Sequence, residues 1–320
     1  MRKMLFAIFA MGALISCSND EILDLNREQI AFGDVFVDNG TRADYSQLGK
    51  PVEAFKVWGT ATGTGTLAGN TVQIFNGADV EKPDNYYNQS TGYASTAWLC
   101  DVTQYWLPKV KYKFAAIVDG EFAKNGTVYD YTKIPFAVAD GEDNLDLLYA
   151  EAEAETDENG APNVELVAFT FNHLLSKMQF KIVNETNVDY QVTEIKVTGF
   201  AQKGIYAKGA NGTWAWTKDG DTKTPLTFGT AIVLGKQSVV ASGTRQILPL
   251  PVPQTLDVTI TYVKVDEPGK IFTKNGTISD YTFKMNTVYE VIATISGTAI
   301  DFDFDINTNI GWGESDINIQ

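Results

Sequence analysis

Apolar residues recur at every second position along much of this chain, and that habit narrows its possible folds more than any other feature. Leu256, Val258, Ile260 and Tyr262 alternate with Asp257, Thr259 and Thr261, and Met178, Phe180 and Ile182 alternate with Gln179 and Lys181. Side chains two apart share one face of a strand, whereas a helix needs a period near 3.6. Tyr112, Phe114 and Ala116, the run 52–57 and the run 190–197 obey the same rule. Between the runs sit Asp119-Gly120, Asn125-Gly126, Asn159-Gly160, Asn211-Gly212, Asp219-Gly220 and Asn275-Gly276. Such pairs supply the positive φ angles of tight hairpins. The expectation is an all-β chain of antiparallel sandwiches, and 320 residues suffice for two of them in tandem. The acidic stretch 151–163 reads as a long hairpin loop of the first sandwich, with the junction near 170–176. Residues 281–295 and 298–306 read as the last long strands. Thr60–Gly69 is rich in glycine but lacks Gly-Lys-Ser/Thr and a following helix, so it reads as a flexible hairpin and not a phosphate loop.

The N-terminus has a different character. Arg2 and Lys3 precede an apolar stretch from Met4 to Ile15, which ends in Leu14-Ile15-Ser16-Cys17. A dozen apolar residues are too few to span a bilayer and suit a signal h-region. The ending fits a bacterial lipobox, with cleavage before Cys17 and acylation of its thiol. Acyl chains would then hold the protein to a membrane without a transmembrane helix. Ser-Asn-Asp-Glu follows, and resembles the short acidic export signal of Bacteroidetes surface lipoproteins.

Composition excludes much chemistry. A single His, His173, rules out sites that need two, and one remaining thiol, Cys100, cannot form an internal disulfide. Both residues read as core: His173 packed and hydrogen-bonded beside Phe171 and Leu174, Cys100 as a small hydrophobe after Trp98 and Leu99. The formal charge of −15 argues against a nucleic-acid partner. No nucleophile elbow, cysteine cluster or distinctive carboxylate pair stands out, so the chain reads as a non-enzyme without a cofactor.

Near the C-terminus, Ile300, Phe302, Phe304 and Ile306 alternate with Asp301, Asp303, Asp305 and Asn307. A strand with four large apolar groups on one face demands a groove, its own or a neighbour's. Ile317 and Ile319 alternate too, so the last few residues are a second candidate for an exchanged strand. Asp303, Asp305, Asn307 and Glu314 partly fit a calcium loop, but Thr308 stands where the turn needs Gly, so no metal is expected. Trp214 and Trp216, two apart, would face the same way in a strand. They motivate an alternative reading, a glycan-binding surface lipoprotein of the outer membrane.

Several segments together resemble the fimbrillin family, subunits of Bacteroidetes type V pili. After the lipobox come Ile30-Ala31-Phe32 and Thr41-Arg42-Ala43, and then Tyr105-Trp106-Leu107-Pro108 leading into Tyr112-Lys113-Phe114-Ala115-Ala116. Asp146-Leu147-Leu148-Tyr149-Ala150 follows, then Phe169 to Met178 through His173-Leu174-Leu175, and an ending with Ile300, Phe302, Ile306 and Trp312. The resemblance implies two transthyretin-like antiparallel sandwiches behind a lipoprotein signal. It divides the chain into a signal peptide (1–16), a lipidated propeptide (17–42), an N-terminal domain (43–173) and a C-terminal domain (174–320). It also implies export through the periplasm to the outer membrane and cell surface, and cleavage after an arginine near the N-terminus. A strand is then lost from the first domain, and the C-terminal strand of another subunit fills the groove. Other fimbrial subunits, the outer membrane and a host or bacterial surface ligand are the partners this implies.

On that pattern Arg42 and Ala43 would form the processed bond, in a turn-rich, polar stretch open to a protease. Ile30 and Phe32 would belong to the strand that is lost. Val35 and Val37 lie on the opposite phase, which calls for a bulge or break near Gly33-Asp34. Ile300, Phe302, Phe304 and Ile306 would form the donated strand, unless it is simply the last strand of its own domain.

Overall fold

The computed structural model describes residues 28–37, 52–63, 67–82, 97–139, 145–221, 223, 225–229 and 231–296, together with the backbone of 299–310. These residues contain strands and no α-helix. In chain order the strands are β1 (Phe32–Val37), β2 (Ala54–Gly63), β3 (Thr71–Glu81), β4 (Leu99–Cys100), β5 (Val110–Val118), β6 (Ala123–Asn125), β7 (Val128–Asp130) and β8 (Lys133–Ala137). There follow β9 (Leu148–Glu155), β10 (Val167–His173), β11 (Ser176–Asn184), β12 (Tyr190–Thr198), β13 (Lys203–Lys208), β14 (Trp214–Lys218) and β15 (Leu226–Gly229). The last are β16 (Ile232–Leu234), β17 (Val239–Ala241), β18 (Arg245–Ile247), β19 (Gln254–Lys264), β20 (Glu267–Tyr281), β21 (Val288–Ser296) and β22 (Ala299–Ile310).

The first half is a seven-stranded sheet in the order β1-β10-β9-β5-β2-β3-β4. Its two ends meet, because Trp98, just before β4, bridges to Phe32 at the start of β1. The inward residues are those that alternation selects: Phe55, Val57 and Ala61 from β2, Tyr112, Phe114 and Ala116 from β5, and Phe169 and Phe171 from β10. The second half is a sandwich. One sheet runs β17-β11-β21-β22 with β18 also on β11, and the other runs β15-β12-β19-β20 with β16 also on β12. Met178, Phe180 and Val291 from the first sheet and Val192, Ile195, Val258 and Ile260 from the second share one core. Pairing is antiparallel except between β1 and β10 and between β11 and β21.

A three-stranded sheet, β14-β13-β8, joins the halves, for β8 comes from before residue 173 and β13 from after it. Phe122, Ile134 and Val138 therefore pack with the second half's core, and so do Trp58, Ile117, Leu147 and Tyr149. Trp216 ties the same sheet to the junction, donating from Nε1 to the Leu174 carbonyl at 2.7 Å.

Three local expectations change. Asn275-Gly276 lies within β20 opposite Thr259 and Val258, and the hairpin instead turns at residues 265–266. Ladder pairing along β19, with Thr259 Oγ1 2.9 Å from Asn275 Oδ1, overrides the local turn preference of Asn-Gly. Residues 151–155 are strand and not loop: Ala152 and Ala154 pack toward the core while Glu151, Glu153 and Glu155 take the other face. The stretch 281–295 is broken between β20 and β21. Elsewhere the glycines behave as their turns require, with Gly126, Gly160, Gly212 and Gly220 at positive φ.

At the junction, only Leu174 and Leu175 separate β10 from β11. His173 Nδ1 lies 2.9 Å from Asp146 Oδ2, and both side chains are fully buried. Lys177 is 2% exposed nearby. Burial pushes its ammonium down to about 8, and the Asp146 carboxylate pulls it partly back. The ordinary value is 10.5. Below pH 8 the group is charged in both folded and unfolded chains, and its burial cost is felt in full. Between about pH 8 and 10.5 the folded chain releases this proton while the unfolded chain keeps it, so the group's contribution makes stability rise with pH. At about 1.4 kcal/mol per unit of difference, the rise is measurable. Urea unfolding of wild type and Lys177→Met across this range should show a steeper rise in the wild type, and parallel curves would refute the assignment.

Candidate functional site

The seat of the N-terminal strand is the best-defined site on the molecule. Residues 28–37 have hydrogen-bonded neighbours on both sides. On one side Trp98 N donates to Phe32 O (2.8 Å), Ile30 N to Gln104 O (2.9 Å) and Trp106 N to Glu28 O (3.0 Å). On the other, β1 runs parallel to β10, and Val167 N donates to Ala31 O at 2.9 Å. The 98–106 side is thus bonded through residues 28–32 and β10 through residues 31–37.

The side chains fit as closely. Ile30, Phe32, Val35 and Val37 are all at most 2% exposed. The register shifts between Gly33 and Val35, and this bulge resets the alternation so that Val35 and Val37 join Ile30 and Phe32 inside. Phe32 is the anchor: its ring centroid lies 5.4 Å from Phe75, 5.9 Å from Phe169, 6.0 Å from Phe114 and 6.3 Å from Phe55. Most of these are the edge-to-face contacts that aromatic quadrupoles favour. Gly33 is needed for close approach, since a Cβ there would fall 2.5 Å from Leu166 Cδ1. At about 1.5–3 kcal/mol for each buried side chain, the four contribute on the order of 6–12 kcal/mol as an upper bound.

Sequence reasoning places Ile30 and Phe32 in one strand, and the structure brings both into this seat. It does not anticipate Trp98 or the 104–106 segment as the second flank. That pairing joins distant parts of the chain and leaves no periodic trace. Cys17, Arg42 and Ala43 lie outside the described residues, as does Glu314 of the calcium pattern. The backbone of Ala299–Ile310 forms β22, antiparallel to β21, with Ile300 opposite Ile295 and Ile306 opposite Val291. Phe302 and Phe304 fall where the ladder is irregular, because 302–304 lie between the pairs Thr294–Asp301 and Ile292–Asp305. Strict alternation therefore does not carry through the strand as an unbroken ladder. Among the described residues β22 pairs with β21 and stands at the end of its sheet.

Trp214 and Trp216 do not form an open platform. Trp216 is 2% exposed, and Trp214 packs against Tyr206 and Tyr149 with centroids 5.2 and 5.3 Å away. Cys100 is half-buried on β4 beside the first core, and burial raises its thiol pKa. Among the described residues, no group of three or more His, Cys, Asp or Glu side chains could hold a metal.

Removing the anchor should be costly. Phe32→Ala is expected to lower unfolding stability by about 3–5 kcal/mol, and Gly33→Val by about 1–3 kcal/mol through overpacking against Leu166. Leu99→Ala, at a position 62% exposed, should change it by no more than about 0.5 kcal/mol. Chemical denaturation of the three variants checks the ranking, and equal effects of Phe32→Ala and Leu99→Ala would contradict the seat.

Comparison with known proteins adds the family. A sequence model described as fimbrillin-like matches residues 41–310. No curated protein sequence matches the chain. Among solved structures, a fimbrial protein from Bacteroides vulgatus is 18% identical with a TM-score of 0.59, over 90% of this chain and 100% of that one. Candidate cell adhesion proteins from Bacteroides ovatus (13% identical, TM-score 0.52, 89% and 98% covered) and Bacteroides uniformis (14%, 0.51, 88% and 97%) share the fold as well. With the family model spanning most of the sequence, the chain belongs to the fimbrillin-like family.

Proposed function

We propose that this protein is a fimbrial subunit that polymerises by exchanging a strand at the seat of residues 28–37. It would be exported as a lipoprotein acylated at Cys17 and carried to the outer membrane and cell surface. An arginine-specific protease would cut between Arg42 and Ala43. That cut separates residues 28–37 from the body they close. Once they leave, β10 on one side and the 98–106 segment on the other offer unpaired backbone groups, with four vacant apolar subsites between them. A strand from a second copy can answer both needs at once.

The observation that carries this reading is the way residues 28–37 are held. Their hydrogen bonds and buried side chains fill a place in the sheet that a separate strand of similar pattern could take. The proposed donor is Ala299–Ile310, with Ile300, Phe302, Phe304 and Ile306 as its apolar face. At the end of its sheet, with one ladder neighbour among the described residues, it is the cheaper kind of strand to detach. Family membership supports a structural and adhesive role over an enzymatic one. The alternative, a surface lipoprotein that binds glycans, draws support from a cleft lined by Trp58, Tyr131 and Tyr149.

Purified precursor treated with an arginine-specific protease should lose the segment before Ala43 and then form a ladder of oligomers. Deleting residues 299–320 should leave a cleavable monomer that no longer polymerises. A precursor that stays uncut and monomeric, or a truncated chain that still polymerises, would refute the mechanism.

A further inference from the structure

A cleft of about 220 Å³ opens on the outer face of the seven-stranded sheet, away from the seat of β1. Trp58, Tyr149 and Ala115 lie at its base, and Thr60, Gln73 and Tyr131 stand around it. Lys113, Glu151, Glu153 and Lys208 are among the other lining residues. Trp58 is 1% exposed, and its Nε1 is buried with no hydrogen-bond partner among the described residues. The indole N–H groups of Trp106 and Trp214 are likewise buried without a partner among the described residues, and of the three only Trp58 lines the cleft.

The chemistry of the lining selects a class of ligand. Lys113 pairs with Glu153 at 2.9 Å, and Lys208 lies 3.9 Å from Glu151. Each ammonium has a carboxylate beside it, so the cleft offers no excess charge to a phosphate or to a cation. At about 220 Å³ it is smaller than the usual pocket for a drug-sized ligand, which leaves room for no more than a single small ring. Aromatic rings next to fixed hydrogen-bonding groups suit a molecule with one apolar face and a belt of hydroxyls. Tyr131 supplies an accessible ring at 37% exposure, braced edge-on by Phe122 at 5.5 Å, and its hydroxyl donates to Asn76 Oδ1 at 2.9 Å. The Tyr149 hydroxyl donates to Glu151 Oε1 at 2.5 Å. Burial and that carboxylate push its pKa far up, so it remains a donor. Gln73 is held by its Nε2, which donates to the carbonyls of Gly59 and Phe75.

We propose that this cleft binds a neutral hexose unit, with Tyr131 against the C–H face of the ring and Glu151 and Gln73 accepting from its hydroxyls. The site stands on β2, β3, β5, β9 and β13 and the excursion after β5. Phe114 lines the cleft and also touches Phe32 of the exchange seat, but the proposal does not depend on strand exchange.

Saturation-transfer NMR on the full-length uncut protein tests it, with the methyl glycosides of galactose, glucose, mannose and N-acetylglucosamine as probes. At least one should receive saturation on its ring C–H protons with millimolar affinity. Tyr131→Ala should weaken that binding at least tenfold, and Glu151→Gln severalfold. Thr60→Tyr, which fills the cleft from another wall, should abolish it, so the result does not hang on one variant's folding. Absence of transfer to all four glycosides, or transfer undiminished in Tyr131→Ala and Thr60→Tyr, would overturn the proposal.

Discussion

Every open sheet has two edges whose backbone groups need partners, and this requirement organises the N-terminal half. The seven-stranded sheet meets it by closing on itself through one short segment. Residues 28–32 pair with the 98–106 stretch, and residues 32–37 pair with β10. The two sets of bonds change over at Phe32, the residue whose ring sits among four phenylalanines. Closure of the ladder and filling of the core are thus one event. Neither can be undone without the other, which is why a ten-residue stretch so near the chain's start governs the whole unit.

The second half handles its edges differently. β17 and β18 share one edge of β11, and Ser242 between them continues that edge: its backbone N donates to Phe180 O at 2.7 Å and its hydroxyl accepts from Phe180 N at 2.8 Å. β20 lies at the edge of the opposite sheet and is largely exposed, with Lys270 and Lys274 along it. Charged edge residues discourage pairing with foreign strands. The two halves also share a sheet, because β8 pairs with β13 from Lys133–Ala207 to Ala137–Lys203. Phe122 and Ile134, counted by sequence with the first half, are buried with the second. A cut of the chain at residue 173 would therefore divide a continuous core.

What sequence could show follows from what is local. Alternation identifies strands such as Leu256–Tyr262 and Met178–Ile182 because each side chain's face is set by its own position. The phase change between Phe32 and Val35 likewise points to a bulge, and the register of β1 shifts there. Long-range pairing is silent. Nothing near Trp98 signals that it meets Phe32, and nothing near Ile134 signals β13. The parallel pairs β1–β10 and β11–β21 have no hairpin to announce them. Asn275-Gly276 shows the opposite error, a strong local signal overruled by the ladder with β19. The seat's contents were legible in Ile30 and Phe32, its walls only in three dimensions.

In the proposed assembly, covalent attachment explains why the uncut chain holds its own strand. Residues 38–51 link β1 to the body at Val52, and a tether of that kind keeps the strand at an effective concentration in the millimolar range. A competing strand from another molecule, at ordinary protein concentrations, meets a site already occupied. Cutting the tether leaves the fit of Ile30, Phe32, Val35 and Val37 unchanged and removes only this advantage. Exchange then turns on the difference between two apolar strands in one groove, and on what each gives up elsewhere. β1, once severed, retains no second home in the chain, whereas β22 must leave β21 to enter a neighbour. The direction of polymerisation thus rests on the processed segment diffusing away, so that proteolysis, and no change in the groove itself, would make assembly one-way.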